Sequence, residues 1–314
     1  MKKIVVIGGG TGVFTVLTGL KDYPFHLTAI VTTADDGGSS GVLREEFGIL
    51  PPGDIRRVLV ALSSDSPVLA NLFNYRFENG TGLKGHSFGN LFLTALERIT
   101  GDFNQAVKEA SKILGIKGKV IPVTLNYTRL FARLENDFIV VGESNIDVPK
   151  HDGSLFIEEV FLNPEPKANK EAIKAIKDAD IIIAGPGDLY TSIIPNFLVK
   201  GIKEAIKKSR AKKVYICNIM TKYGETNKFT AEDFFATLEK YLGKGVIDYF
   251  LVNIEKPKNC YLGKYNKEKA ELVKYDRKIL NSRKKPKVIF ARLLRQGPLL
   301  RHDSKKLAKV ISNI

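Results

Sequence analysis

Residues 31 to 41 read VTTADDGGSSG, with two adjacent carboxylates, Asp35 and Asp36, ahead of three glycines and two serines. An acidic residue at the end of a second strand can hold ribose hydroxyls, and a close pair can hold Mg2+ through oxygen ligands. Gly37, Gly38 and Gly41 permit unusual backbone angles, and Ser39 and Ser40 can donate to an oxyanion. Taken alone, the stretch reads as a solvated acidic turn.

Three further segments share this character. GGGTG, Gly8 to Gly12, follows an apolar run and opens a helix. Small residues at Gly9, Gly10, Thr11 and Gly12 would let backbone N–H groups approach a pyrophosphate at a helix N-terminus, although tight strand-to-helix packing asks for the same residues. GPGDLYTS (185 to 192) repeats the pattern with Gly185 and Gly187, and NIMTKYGET (218 to 226) offers Asn218, Thr221 and Thr226 as neutral hydrogen-bonders with Glu225 as an acid. PPGDIRR (51 to 57) adds Asp54, a candidate metal ligand or a helix cap, beside Arg56 and Arg57, which suit phosphate. GHSFGN (85 to 90) adds Ser87, Asn90 and His86, the last a base, a phosphate donor or a structural residue. Hydrolase triads have no positive support in these motifs.

The elements that position these segments follow from hydrophobic periodicity. KIVVIG (3 to 8), LTAIVTT (27 to 33), DIIIAG (180 to 185) and KVYICNI (213 to 219) read as buried strands. Separated by helical patterns, they predict an α/β fold, a Rossmann-like three-layer arrangement around a mostly parallel sheet. In such sheets ligands sit beyond the carboxyl ends of the strands, so four polar or glycine-rich loops at four strand ends predict one crevice of anion-binding character. The segment from 195 to 208 predicts one amphipathic helix begun by Pro195. Residues 55 to about 115 predict a helical insertion after the second strand, with Asp102 as an N-cap. A hairpin over 128 to 144, a late strand at 287 to 291 and a closing helix complete the expectation, as a single domain over 1–314.

Composition sets the class. The chain has 314 residues, 44% hydrophobic, with no apolar run long enough to cross a bilayer, and its MKKIVVIGGG opening lacks the h-region and cleavage site of a signal peptide. Cys217 and Cys260 form no CxxC or Cys/His cluster, which predicts two buried free thiols in a reducing cytoplasm and no structural zinc. The net charge of +15 is spread thinly, apart from KKSRAKK (207 to 213) and NSRKKPK (281 to 287). Without an aromatic-interleaved reading surface, it predicts no nucleic-acid partner.

Together, GGGTG, TADDGGSSG (33 to 41), PPGDIRRVLVALS (51 to 63), GHSFGNL (85 to 91), GPGDLYTSIIPN (185 to 196), NIMTKYGET and RHDSKKLA (301 to 308) resemble the CofD/YvcK-type family. Within it, the GGSSG and PPGDIR segments are closer to the gluconeogenesis-factor branch than to the 2-phospholactate transferases. The resemblance implies a CofD-like domain in a cytoplasmic protein that binds UDP-N-acetylglucosamine, or another UDP-sugar or dinucleotide. It further implies a role in cell shape and envelope growth on gluconeogenic carbon sources, with Tyr265 and Arg301 placed around the nucleotide. The alternative it carries is a Mg2+-dependent transferase in which Asp36 and Asp54 are the candidate catalytic residues and Asp35, Asp36 and Asp54 the candidate metal ligands. The second acidic segment, however, offers Asp54 where the transferases have two aspartates. Phe234 replaces the family's usual histidine and Asp188 its usual serine. A nucleotide sugar is the expected partner, no cofactor is firmly required, and a homodimer is expected from the frequency of dimers among soluble proteins.

Overall fold

β1 (Lys3–Gly8) is apolar on both faces because both are covered. Ile4 and Val6 pack with Val13, Val16, Leu17 and Leu20 of α1 (Gly10–Leu20), while Val5 and Ile7 join Ile193, Ile194 and Phe197 in a second core on the opposite side. A computed structural model describes residues 1–63 and 67–314. Its central sheet contains β1, β2 (His26–Val31), β3 (Lys119–Pro122), β7 (Ile181–Ala184), β8 (Lys212–Ile216), β9 (Tyr249–Asn253) and β10 (Lys287–Ala291). The order is β10-β9-β8-β7-β1-β2-β3, and every pairing is parallel. The Rossmann-like three-layer expectation therefore holds.

From β1 the chain builds outward through β2 to β3, then returns to the other side of β1 and builds outward from β7 to β10. The reversal lies between β1 and β7, which is where open α/β sheets leave a crevice at their carboxyl edge. The turns after these two strands meet in backbone contact: a Cβ at Gly12 would collide with the carbonyl of Pro186.

Between β2 and β3 lie α2 (Gly38–Phe47), α3 (Gly53–Leu62), α4 (Pro67–Asn74), α5 (Phe88–Thr100) and α6 (Phe103–Ile113). They form the expected helical insertion, of which residues 64 to 66 lie outside the described residues. Asp102 caps α6 by accepting from the Gln105 N–H at 2.7 Å. The expected hairpin is β4 (Arg129–Leu134) with β5 (Ile139–Val141), and β6 (Ile157–Asn163), which the sequence reading omits, completes a small antiparallel sheet. The short helix α7 (Glu143–Asp147) follows β5, and α8 (Lys170–Lys177) leads into β7.

The single helix expected over 195 to 208 is two, α9 (Ile194–Leu198) and α10 (Ile202–Lys208). The backbone of Lys200 leaves the helical path to pair with Pro166 and Ala168. α11 (Ala231–Leu242) precedes β9; α12 (Leu262–Lys267) and α13 (Arg277–Ser282) precede β10. The two-residue strands β11 (Leu294–Arg295) and β12 (Arg301–His302) pair antiparallel before α14 (Ser304–Ser312) packs on α1. Cys217 is buried as expected, but Cys260 is exposed, since it falls in a short turn preceding α12 rather than in the sheet. Among the described residues no helix is long and apolar enough to cross a membrane.

The contact at the reversal point can be tested directly. Gly12→Ala is expected to lower unfolding stability by ~2 kcal/mol, measured by urea denaturation, because the added methyl meets backbone rather than a side chain that can turn away.

Candidate functional site

The carboxyl ends of β8, β7, β1 and β2 open into one cleft of about 1060 Å3. The four loops singled out in the sequence meet there. Gly9, Gly10, Thr11 and Gly12 line its centre together with Gly187, and Asp35, Gly38, Ser39 and Ser40 line one side. Asn218 and Thr221 line the other, and Asn90, Tyr265 and Arg301 reach in from α5, α12 and β12.

Asp36 and Gly185 lie elsewhere. Asp36 turns away from the cleft, and its Oδ1 accepts the Ser144 N–H at 2.9 Å, tying the first turn of α7 to the loop after β2. It is therefore a structural anchor in this arrangement, not one of the groups facing the cleft. Gly185, with φ +76°, makes the turn leaving β7, and its own N–H bonds the Ile7 carbonyl at 3.1 Å.

Asp54 does not cap its own helix α3. Its carboxylate accepts from the Gly10 N–H, and a Cβ on Gly9 would come within 2.6 Å of its Oδ2. The positive end of α1, read in the sequence as a phosphate cradle, thus already faces a carboxylate. Burial, then repulsion from Asp35, pushes Asp54 up to about 7, against Arg57, whose Nη1 lies 3.7 Å away. Burial also raises Asp35, opposed by the Gly37 N–H at 3.0 Å and by the Ser40 hydroxyl. Asp35 thus raises Asp54, while the acid that raises Asp35 is Asp36, and recessed carboxylates of this kind are suited to sharing a proton or a divalent cation. Carboxylate oxygens such as those of Asp35 and Asp54 are the donor type a hard cation takes, while the Asp36 Oδ1 is occupied by the Ser144 N–H.

Sequence reasoning missed the third member of this acidic wall. Glu143, at the start of α7, is pushed up to about 10 by burial first and then by Asp35 and Asp147. No glycine motif marks it, and α7 is too short to carry periodicity. It also missed Lys222, although the residue sits inside NIMTKYGET next to a legible acid. The Lys222 ammonium bonds Asp147, lies 3.0 Å from Asp188 and lies 3.1 Å from the fully buried Glu225. Asp147, Asp188 and Glu225 have oxygens close enough together to hold a cation, and Lys222 supplies one covalently. Burial pushes Glu225 up to about 7, while Lys222 opposes that rise and is itself raised by the surrounding acids.

The two departures from the family pattern therefore have different fates. Asp188 faces the cleft and holds Lys222. Phe234 is fully buried and packs edge-on to Phe229 at 5.5 Å, so it belongs to the core.

On the β2 side, Ser39 Oγ accepts from Asn90 Nδ2 at 3.1 Å and lies 2.9 Å from His86 Nδ1. His86 thereby braces Ser39 rather than facing the cleft. At the far end, the Tyr265 hydroxyl accepts from the Leu300 N–H at 2.7 Å, and its ring packs on the cluster of Ile219, Leu294 and Leu300. Neighbouring His302 is pushed down to about 4 by burial, so it is neutral at physiological pH. Its Nε2 and Asn218 Oδ1 have no partner among the described residues.

Comparison with known proteins bears on these loops together. The family model described as "2-phospho-L-lactate transferase CofD" matches residues 4–294. A protein named gluconeogenesis factor from Halalkalibacterium halodurans is 48% identical over 311 residues, covering 99% of this chain and 95% of that protein. The gluconeogenesis factor of Bacillus subtilis is 46% identical over 313 residues, covering 99% and 98%. A crystal structure of a UPF0052-family protein from Bacillus halodurans superposes with a TM-score of 0.94 at 47% identity, covering 99% of each chain.

Two outcomes follow from the charges. The fold favours the protonated form of Glu143, so the stability this residue contributes is complete below its ordinary value of 4.5 and is lost as pH rises towards about 10. Glu143→Gln is accordingly expected to gain on wild type as pH rises, by ~1 kcal/mol or more at about pH 8.5, followed by thermal melting across pH. Lys222→Met strands three carboxylates, one of them fully buried, and is expected to cost ~3 kcal/mol in urea denaturation at neutral pH.

Proposed function

Because the chain belongs to the CofD family, we propose that it is a nucleotide-sugar-binding protein of the gluconeogenesis-factor type, taking UDP-N-acetylglucosamine into the cleft. The observation that carries this reading is the continuity of one cleft from Tyr265 and Arg301, past the turns after β7 and β1, to the serines after β2. Tyr265 stacks on the uracil, and Arg301 clamps a phosphate. Asn218 and His302, with buried polar atoms still free to bond, give that end a neutral hydrogen-bonding edge suited to a base.

The diphosphate lies against the N–H groups of the Gly9–Gly12 and Gly187 turns. Since Asp54 already faces Gly10, a phosphate there needs a proton or a cation between it and the carboxylate. Asp35 and Asp54 would hold Mg2+, which would neutralise the charge shared between carboxylates and diphosphate. Ser39, held by Asn90 and His86, presents a fixed hydroxyl on the sugar side. In the cell, the bound protein acts in the cytoplasm as a regulator of cell shape and envelope growth during gluconeogenic growth. The Asp35–Asp54 pair also favours a second reading, a Mg2+-dependent transferase of a phosphate-linked group, which differs in requiring turnover.

Calorimetric titration with UDP-N-acetylglucosamine, with and without Mg2+, is expected to give saturable binding that chelation weakens. Tyr265→Ala and Arg301→Ala should each weaken it by about tenfold, the worth of a lost stacking or charge-assisted contact. No saturable heat at millimolar ligand would sink the reading. Product formation abolished by Asp54→Asn would establish the transferase instead.

A further inference from the structure

Arg56, Arg57 and Arg76 line the β2 side of the cleft, the first two from α3 and the third from the segment after α4. Arg56 is 5% exposed, and its bonds go to uncharged oxygens: Nε donates to Asn90 Oδ1 at 3.0 Å and Nη1 to Asn74 Oδ1 at 2.6 Å. Arg76 Nη1 donates to the Gly85 carbonyl. Among the described residues neither guanidinium has a carboxylate within ion-pair distance, and Arg57 lies 3.7 Å from Asp54 and also acts on Asp35. Asn90 and Gly89 belong to the first turn of the 13-residue helix α5, and Gly89 packs so closely that a Cβ would lie 2.7 Å from Arg56 Cδ.

Amide and carbonyl acceptors fix the direction of a guanidinium without cancelling its charge. Burying such a charge is costly, and the cost is offset when an oxyanion docks on the remaining N–H groups. The planar fork suits a phosphate or carboxylate, and the helix N-terminus adds potential of the same sign. Burial, followed by repulsion from Arg57 and Arg76, pushes Arg56 down to about 10, which an anion would relieve.

The arginines also stand apart from the nucleotide end. Tyr265 and Arg301 lie beyond β8, the glycine turns follow β7 and β1, and Arg56 and Arg76 lie beyond β2. From β8 to β2 is three strand spacings, ~14 Å. We propose that Arg56, Arg76 and the first turn of α5 form a second oxyanion subsite, separate from the glycine-turn cradle, that takes a phosphate or carboxylate group. The group is carried either on the sugar end of a nucleotide sugar or on a small molecule bound beside it. The orientation of the nucleotide rests on the proposed function, whereas the anion site does not.

The test titrates wild type, Arg76→Gln and Arg56→Lys with inorganic phosphate, UDP-N-acetylglucosamine and UDP-glucuronic acid, with folding checked by thermal melting. Arg76 is exposed, so its replacement leaves the core intact, and Arg56→Lys keeps the charge but loses the fork. Phosphate should bind wild type saturably and each variant about tenfold more weakly, while UDP-N-acetylglucosamine changes by less than about threefold. Phosphate binding that persists at saturating UDP-N-acetylglucosamine assigns the anion to a separate molecule. An arginine-dependent preference for UDP-glucuronic acid assigns it to the sugar. Phosphate affinity unmoved by the variants would overturn the proposal, as would equal losses for phosphate and UDP-N-acetylglucosamine, which would place the arginines in the diphosphate cradle. Should UDP-N-acetylglucosamine fail to bind at all, the nucleotide-sugar reading falls and the phosphate titration alone decides the subsite.

Discussion

The backbone contact between the turns after β1 and β7 is the constraint on which the rest of the structure depends. A parallel sheet built outward in both directions from one strand leaves two loops diverging at its carboxyl edge. Here Gly12 lets α1 settle against the carbonyl of Pro186, which fixes the floor of the cleft and seats α1 between the sheet and α14. Glycine at this position therefore answers first to packing. Any role for the neighbouring N–H groups in holding a ligand is built on a turn already required by the fold.

Around that floor the protein manages a high density of charge by burial and by pairing. The acids gather where α3, α7 and the loops after β2, β7 and β8 converge, and burial raises several of them towards neutrality. One group of three is compensated by Lys222 from inside its own loop. Arg57 is the hinge between regimes, within reach of Asp54 on one side and of the arginine cluster on the other. An anionic ligand thus meets incompletely neutralised cations and acids raised by burial within the same cleft.

Much of this was legible in the sequence because glycine and β-branched residues mark strand ends so clearly. The strands at 3 to 8 and 287 to 291 coincide with β1 and β10, and four loops read as convergent do converge. What escaped did so for identifiable reasons. β3 is only four residues long, and β6 carries Glu158 and Glu159 near its start. β9, YFLVN, carries a signal as strong as that of β8 and was open to the same argument. Asp36 could not be separated from Asp35 by composition, since which of two adjacent carboxylates faces a cleft depends on α7, more than a hundred residues away. Glu143 reaches the site through that same helix, with no local motif to announce it.

The state of Glu143 alters how the whole molecule should be regarded in solution. A count of +15 treats every acid as ionised. A carboxyl held up to about 10 keeps its hydrogen at neutral pH, so the folded protein is more positive than its composition states, and the surplus arises inside the cleft. Part of a wall that looks acidic on paper therefore offers a hydrogen-bond donor, able to meet a carbonyl or hydroxyl oxygen without the repulsion its formal charge would suggest.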